Sequence, residues 1–164
     1  MKQNRSKAIT ETLRYEGGYT NNKADKGGPT NWGITIADAK KYWKKDADEA
    51  DMMAMPKEVA IDIYVNKYWK TSYYDCDTLA SGVDFSVFDY GVNSGPSRAK
   101  TDLMNAIGGT DEETIDKLWD LRRAFLRRLK NYPVFKGGWE RRCSDGRSFA
   151  HKMASTATPE PVAK

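Results

Sequence analysis

Two carboxylates near the start of the chain are the residues best placed by type and spacing to carry out chemistry. Glu16 precedes Gly17 and Gly18, and Asp25 follows nine residues after Glu16 in a segment rich in Asn, Gly and Pro. Two carboxyl groups held at a fixed separation beside a cleft can cleave a glycosidic bond, one as proton donor and the other as nucleophile, base or electrostatic stabiliser. The segment therefore predicts a glycosidase site.

The two carboxylates are expected to have different roles. Glu16 continues the apolar stripe of Ile9 and Leu13, so its side chain should face the core or a cleft. The negative end of the helix dipole and partial burial both favour a protonated carboxyl group, as a general acid requires. Asp25 lies in a polar loop and should stay ionised, and Thr30 is near enough in sequence to hold a water. A surface glutamate and an ordinary turn aspartate would give the same spacing, so spacing alone does not decide.

Length, charge and residue composition limit the classes of function that the chain can have. The 164 residues fit one domain, or one domain with a small second lobe, and a net charge of +4 suits an anionic partner such as nucleic acid, a membrane surface or cell wall. His151 is the sole histidine, which disfavours a Ser-His-Asp hydrolase and a histidine-rich metal site. We predict neither a metal nor a cofactor. Cys76 and Cys143 are expected to be free buried thiols, with a disulfide as the less favoured alternative.

The first residues, Met1 to Lys7, are basic and no apolar stretch follows them. The sequence therefore predicts no signal peptide and no stable membrane insertion, and synthesis in the cytoplasm. A substrate outside the cytoplasm would then require a separate release route.

Hydrophobic periodicity predicts a mainly α fold with a small turn or β-hairpin region after the first helix. Capping residues, glycines and prolines place the boundaries. The expected helices are Ser6 to Arg14, Thr35 toward Lys45, one from Pro56, a central buried helix from Leu79 to Tyr90, Pro96 to Gly108, Thr110 to about Asn131, and one after Gly137-Gly138. Residues 91–95 are expected to form a loop and residues 155–164 a disordered tail.

Arg122 falls in the middle of the broad apolar face of the Thr110 helix, because a helix turns by about 100° per residue. A buried arginine needs a partner, and we predict Asp84 or Asp89 on the central helix. The alternative is that Arg122 lies at the rim of the apolar face and extends its guanidinium group into solvent. The neighbouring arginines are interleaved with core residues and aspartates, so a solvated helix face fits them better than a nucleic-acid site.

Four motifs resemble the glycoside hydrolase 108 family, whose members are muramidases found as phage endolysins and as bacterial enzymes linked to protein secretion. The motifs are EGGYTNNKADKGGPTNWGIT, IYVNKYW, FDYGVNSGPSRA and FKGGWERR, and they occur in family order. The resemblance implies a lysozyme-like helical fold and hydrolysis of the β-1,4 bond between N-acetylmuramic acid and N-acetylglucosamine in peptidoglycan.

The resemblance also implies roles for individual residues. Glu16 of the EGG motif corresponds to the catalytic glutamate, and a similar Glu, Asp, Thr order in phage-type lysozymes suggests Asp25 and Thr30 for the remaining roles. The first motif is expected to bind substrate through Tyr19 and Trp32. The third motif resembles the cleft wall opposite the glutamate, and its expected substrate-binding residues are Asp89, Tyr90 and Asn93.

For the whole chain we expect a muramidase region over residues 1–94 and a peptidoglycan-binding-like helical region over 95–154, packed together as one globule. The expected enzyme is a monomer that acts on peptidoglycan in the periplasm, without nucleic acid, as a phage endolysin released through a holin. A bacterial muramidase that assists secretion, released through a channel, and a non-catalytic wall-binding protein of the same fold are the alternatives. Retaining and inverting mechanisms both stay open, because the spatial separation of the carboxylates decides between them.

Overall fold

The computed structural model describes residues 2–21 and 28–157, and in this part of the chain the fold is mainly α. Eight α-helices alternate there with short connections, and one two-stranded antiparallel sheet follows the first helix. The expected mainly α, lysozyme-like architecture with a small hairpin is thereby confirmed.

The chain divides into two compact units. The N-terminal unit is Arg5–Thr71, and the C-terminal unit comprises Met1–Asn4 and Ser72–Lys164. The expected functional division at residue 94 stays a prediction.

The N-terminal unit carries the segment with the two predicted catalytic carboxylates. Its elements are α1 (Arg5–Leu13), β1 (Thr30–Asn31), β2 (Ile34–Thr35), α2 (Ile36–Tyr42), α3 (Glu49–Met53), α4 (Lys57–Tyr64) and a π-helical turn (Val65–Trp69). Thr35 caps α2 as expected, since its side chain accepts a hydrogen bond from the Asp38 amide. Helix α3 was not predicted from the sequence, although Asp48 and Asp51 form a reciprocal capping box at its start.

The hairpin is closed by a two-residue turn. Asn31 pairs with Ile34, and the intervening Trp32 and Gly33 have φ angles of 54° and 74°. Positive φ at both central residues matches the right-handed twist of the strands, as in type I′ turns. Thr20 pairs with Thr30 on the outer side through two backbone hydrogen bonds of 2.8 and 2.9 Å. The turn is therefore anchored from both strands.

The C-terminal unit is built around one buried helix. It contains two short 3-10 helices (Lys2–Asn4 and Cys76–Thr78), α5 (Val83–Ser94), α6 (Pro96–Ala106), α7 (Asp111–Arg127) and α8 (Tyr132–Thr156). Every residue of α5 from Val83 to Gly91 is buried, and α5 contacts α6, α7 and α8. The expected central buried helix is thus confirmed. Thr110 and Glu113 form the expected capping box of α7.

Two glycine-rich segments differ from the sequence-based expectation. Residues 91–94 continue α5 and do not form a loop. Packing accounts for the glycine at position 91, because a Cβ there would collide with the Tyr74 hydroxyl. Gly137 and Gly138 lie inside α8. There, Phe135 and Trp139 stack one helical turn apart with ring centroids 5.5 Å apart, which supports the helix across its glycines.

The chain end departs from expectation in part. Ser155 and Thr156 complete α8, whereas the sequence predicted that a disordered tail begins at residue 155. Residues 158–164 lie outside the described part of the chain.

A buried ionic cluster joins α5 to α7 and α8, and in it Arg122 pairs with Asp89, one of the two partners predicted for it. Arg122 is 1% exposed, and its Nη1 donates to Asp89 Oδ2 at 2.6 Å. Arg142 Nη2 donates to Asp89 Oδ1 at 2.9 Å. Among the described residues, Arg122 Nε and Nη2 have no hydrogen-bond acceptor, but the guanidinium lies over the rings of Trp119 and Tyr90, 4.8 and 5.5 Å from their centroids. The cation–π contacts stabilise the buried charge, although they supply no acceptors for these N–H groups.

The cysteines are free and buried, as predicted. Burial raises the pKa of both the Cys76 and the Cys143 thiol. Neither thiol is therefore suited to act as a nucleophile at neutral pH.

No helix within residues 2–21 and 28–157 has the length and apolar character needed to cross a bilayer. In the same part of the chain, no three or more His, Cys, Asp or Glu side chains gather where they could hold a metal ion.

Two glycines of α8 are expected to respond oppositely to alanine. A Cβ at Gly146 would collide with the buried indole of Trp119, so Gly146→Ala should lower the free energy of unfolding by about 1–3 kcal/mol through overpacking. Gly138 has open space around it, and Gly138→Ala should raise stability by about 0.5–1 kcal/mol. Urea unfolding midpoints of the two variants and the wild type measure both effects. A stabilised Gly146→Ala variant would contradict the close packing of α8 on α7.

Candidate active site

Glu16 lies just beyond the end of α1, in the turn that leads into the glycine pair. Its amide donates to the Leu13 carbonyl at 3.3 Å, and its side chain is half-buried. A Cβ at Gly33 would lie 2.7 Å from Glu16 Oε2 and 2.6 Å from the Tyr64 hydroxyl oxygen. The Glu16 carboxylate and the Tyr64 hydroxyl therefore meet at the same face of the hairpin turn.

The turn that faces Glu16 is held in a strained conformation. Trp32 is bulky, yet it adopts a positive φ that side chains other than glycine rarely occupy. Tyr64, which is 1% exposed, donates from its hydroxyl to the Trp32 carbonyl at 2.8 Å. The Trp32 indole Nε1 donates to the Met55 carbonyl at 3.1 Å. Backbone strain of this kind persists where surrounding contacts fix it, and it is concentrated at functional sites.

The π-helical turn contains Lys67 and Tyr68, and Lys67 contacts both Asp38 and the Tyr68 ring. Lys67 Nζ lies 2.6 Å from Asp38 Oδ2 and 4.9 Å from the centroid of the Tyr68 ring. Burial raises the pKa of the Tyr68 phenol, Lys67 opposes that rise, and the negative charges of Asp38 and Glu16 add to it. The phenol is thus protonated at neutral pH and can donate a hydrogen bond beside Glu16.

The other predicted residues of the first motif have identifiable partners. Tyr19 is half-buried, and its hydroxyl donates to Glu49 Oε1 at 2.7 Å. Asn21 Nδ2 donates to the same oxygen at 2.6 Å. Thr30 is half-buried in β1, and its hydroxyl donates to the Gly28 carbonyl at 3.2 Å. Glu16, Tyr19, Thr30 and Trp32 all belong to the N-terminal unit. Asp25 lies outside the described residues, so its role stays a prediction.

The predicted residues of the third motif lie on α5 in the C-terminal unit. Asp89 and Tyr90 are 2% and 1% exposed. Asp89 is occupied by the buried arginines, and the Tyr90 hydroxyl donates to Asp102 Oδ2 at 2.5 Å. Asn93 is half-buried in the last turn of α5, not in a loop, and accepts a hydrogen bond from Ser94. Substrate binding by these residues stays a prediction, and burial leaves Asp89 and Tyr90 no surface that a polymer could reach in this conformation.

Several residues near Glu16 were not predicted from the sequence to have a role. They are Gly33, Tyr64 and Tyr68, together with Lys67, which contacts the Tyr68 ring. The available signal was the IYVNKYW motif, which spans the end of α4 and the whole π-helical turn. Such π-turns occur frequently at functional sites. The arrangement presents a half-buried carboxyl group beside a phenol donor, which suits proton transfer to a bound polar group.

Gly33→Ala is expected to impair both folding and activity. Its positive φ disfavours any Cβ, which costs about 1–2 kcal/mol of stability, and the added methyl group would displace the Glu16 carboxylate. A displacement near 1 Å lowers the rate by about 10²-fold, so kcat for wall hydrolysis should fall at little changed KM. Gly17→Ala is the control for stability, since nothing lies within 4 Å of its added Cβ. Unchanged kcat in Gly33→Ala would show that Glu16 is not positioned by the turn.

A family model matches the part of the chain that contains the candidate site. A family model described as Glycosyl hydrolase 108 matches residues 9–95, which include Glu16, the hairpin, the π-helical turn and α5. The match covers more than half of the chain. The chain belongs to the glycosyl hydrolase 108 family, and membership implies glycosidase activity.

One solved structure is similar over nearly the full length. It is the structure of Brucella abortus SagA, with 31% sequence identity and a TM-score of 0.81, and the match covers 96% of this chain and 99% of the SagA chain. Family and structural neighbour together support a peptidoglycan hydrolase fold. Among curated protein sequences no relative matches this chain.

Proposed function

We propose that this chain is an N-acetylmuramidase that hydrolyses the β-1,4 bond between N-acetylmuramic acid and N-acetylglucosamine in peptidoglycan. The observation that carries the proposal is the half-buried Glu16 carboxyl group held against Gly33, within the segment that the family model matches. The net charge of +4 suits an anionic wall polymer.

In the proposed reaction Glu16 is the general acid. Its carboxyl proton passes to the glycosidic oxygen as the bond from that oxygen to the anomeric carbon breaks, and water finally supplies the new hydroxyl group on that carbon. Gly17 and Gly18 follow Glu16 in the chain, and apart from chain neighbours no heavy atom lies within 4 Å of an added Cβ at either, which leaves room for a sugar polymer. Asp25 is proposed as the second carboxylate and Thr30 as the residue that holds a water.

Product analysis tests the proposed bond specificity. Purified sacculi digested with the protein should release muropeptides whose reducing end is N-acetylmuramic acid, identified by borohydride reduction and mass spectrometry. Reducing ends on N-acetylglucosamine would indicate a glucosaminidase, and anhydro-muramic ends would indicate a lytic transglycosylase. Binding to sacculi without any new ends would support the non-catalytic alternative.

The proposed biological setting is host lysis by a phage endolysin that is synthesised in the host cytoplasm and acts as a monomer in the periplasm after release by a holin. Cytoplasmic expression should then leave cells intact until a holin is co-expressed. The full-length likeness to a protein of the bacterium Brucella abortus favours the second candidate, a bacterial muramidase that assists secretion. In that case a chromosomal deletion should reduce export without affecting lysis.

A further inference from the structure

A cavity in the C-terminal unit has no role in the proposed chemistry. Its volume is about 620 Å³, and its lining includes Tyr73, Gly95, Ser97, Arg98, Thr101 and Phe125. A cavity of this size can hold a small molecule or a few residues of a peptide. Its walls combine aromatic rings with hydroxyl groups and one cationic side chain.

The cation in this cavity is fixed in place but not neutralised. The Arg98 guanidinium lies over the Phe125 ring, 4.7 Å from its centroid. Among the described residues no carboxylate pairs with Arg98. Stacking on an aromatic face limits the rotamers of the side chain while it leaves the in-plane N–H groups available.

The absence of an ion pair has a specific cause. Asp102 lies four residues after Arg98 on α6, the spacing at which an aspartate and an arginine normally pair on a helix surface. Asp102 is 6% exposed and accepts the hydrogen bond of the buried Tyr90 hydroxyl. The carboxylate that would otherwise neutralise Arg98 is thus turned into the core, and the guanidinium stays open to a ligand.

We propose that this cavity binds a free carboxylate of the stem peptide that peptidoglycan carries, with Arg98 as the anion-binding residue. A guanidinium forms bidentate hydrogen bonds with a carboxylate, and the rings of Tyr73 and Phe125 can pack against the apolar parts of short peptide residues. Tyr73 is 48% exposed, so the aromatic wall is accessible. The choice of ligand rests on the proposed function, but the lining residues belong to the C-terminal unit, whereas Glu16 belongs to the N-terminal unit.

The test uses a probe that contains no glycosidic bond, so that binding does not depend on catalysis. N-acetylmuramyl tetrapeptide is titrated into the ¹⁵N-labelled full chain, and amide shifts in residues 95–101 are followed. Arg98→Gln should raise the Kd by at least about tenfold, because a charge-assisted bidentate contact is lost. Arg141→Gln, an equal charge change at an exposed position of α8, should leave the Kd unchanged. The amidated probe should bind wild type as weakly as the acid binds Arg98→Gln.

Three results would overturn the proposal. They are no binding of the acid probe to wild type, a Kd for Arg98→Gln within twofold of wild type in a variant with a native amide spectrum, and shifts confined to residues outside the cavity. Reducing-end release from peptide-free glycan strands is measured in parallel and should be equal in wild type and Arg98→Gln. If the wild-type protein released no reducing ends, the proposed muramidase activity would be refuted. The titration would still show whether the cavity binds a carboxylate.

Discussion

Replacing Glu16 with glutamine is expected to lower kcat for peptidoglycan hydrolysis by at least about 10²-fold, and up to about 10⁴-fold, while the fold is retained. The glutamine side chain has nearly the same shape, so it can occupy the half-buried position against Gly33, but it cannot donate a carboxyl proton to the leaving oxygen. Reducing-end release from purified sacculi measures the loss. Circular dichroism and the thermal midpoint establish that the variant is folded.

Glu58→Gln is the matched control for this experiment. Glu58 is exposed in the first turn of α4, within the same unit, and the substitution makes the same chemical change. We expect its activity and thermal midpoint to equal those of wild type. Wild-type activity in a folded Glu16→Gln variant would exclude Glu16 as the proton donor. Binding of that variant to sacculi should persist, which separates loss of chemistry from loss of substrate affinity.

Asp89→Asn is expected to have the largest effect on stability, a loss of about 3–5 kcal/mol in the free energy of unfolding. Asp89 neutralises two guanidinium groups, Arg122 and Arg142, and all three side chains are at least nine-tenths buried. An asparagine keeps the volume but leaves two positive charges in the core without a counter-charge. Guanidinium chloride unfolding, followed by tryptophan fluorescence and circular dichroism, measures the difference.

An exposed ion pair on the same helices is the control for charge removal alone. Asp120 is 63% exposed in its pair with Arg147, so Asp120→Asn should change stability by no more than about 1 kcal/mol. Adding Arg122→Met to Asp89→Asn should recover part of the lost stability, because one uncompensated buried charge is removed. Equal losses in Asp89→Asn and Asp120→Asn would show that the buried cluster contributes no more than a surface pair.

The same cluster predicts that the free energy of unfolding depends on pH in the acid range. Burial alone would raise the pKa of the Asp89 carboxyl, but the charges and hydrogen bonds of Arg142 and Arg122 outweigh it and hold this pKa well below its ordinary value of 3.8. The unfolded chain therefore takes up a proton at this site more readily than the folded chain, and stability falls as the pH drops below about 4. Asp89→Asn should lack this part of the slope. Identical slopes in both proteins between pH 4 and pH 2 would contradict the assignment.

Local signals in the sequence were sufficient for most of the helices. The Thr110 and Glu113 capping box, the proline that opens α6 and the apolar stripe of α7 each report on contacts within one or two helical turns. A buried carboxylate partner for Arg122 on α5 was also predictable, because a charge on an apolar face requires a partner on the neighbouring helix, but the choice of Asp89 over Asp84 was not. Glu16 was predicted as the catalytic residue from its motif and from its position at the end of α1.

Glycines were the least informative residues, because their sequence signal is the same in a loop and at a close contact. Gly91 occurs inside α5 where Tyr74 approaches the backbone, and Gly33 occurs in a turn that also makes room for Glu16. A glycine inside a helix costs about 1 kcal/mol of stability relative to alanine. The tertiary packing of a whole helix readily exceeds this cost. The prediction that residues 91–94 and 137–138 interrupt helices was therefore wrong, whereas Gly95 does end α5.

The sequence by itself determined the helical class and the family motifs, and it predicted Glu16 as the reactive carboxyl group, since each of these depends on residues close together in the chain. Tertiary structure decided what surrounds that group. The Tyr64 hydroxyl and Tyr68 reach the Glu16 region from α4 and its π-helical turn, about 50 residues away in the chain. Tertiary structure also decided that Asp102 faces the core, so that it does not form an ion pair with Arg98. Contacts of this kind depend on how separate elements pack, and no local pattern records that packing.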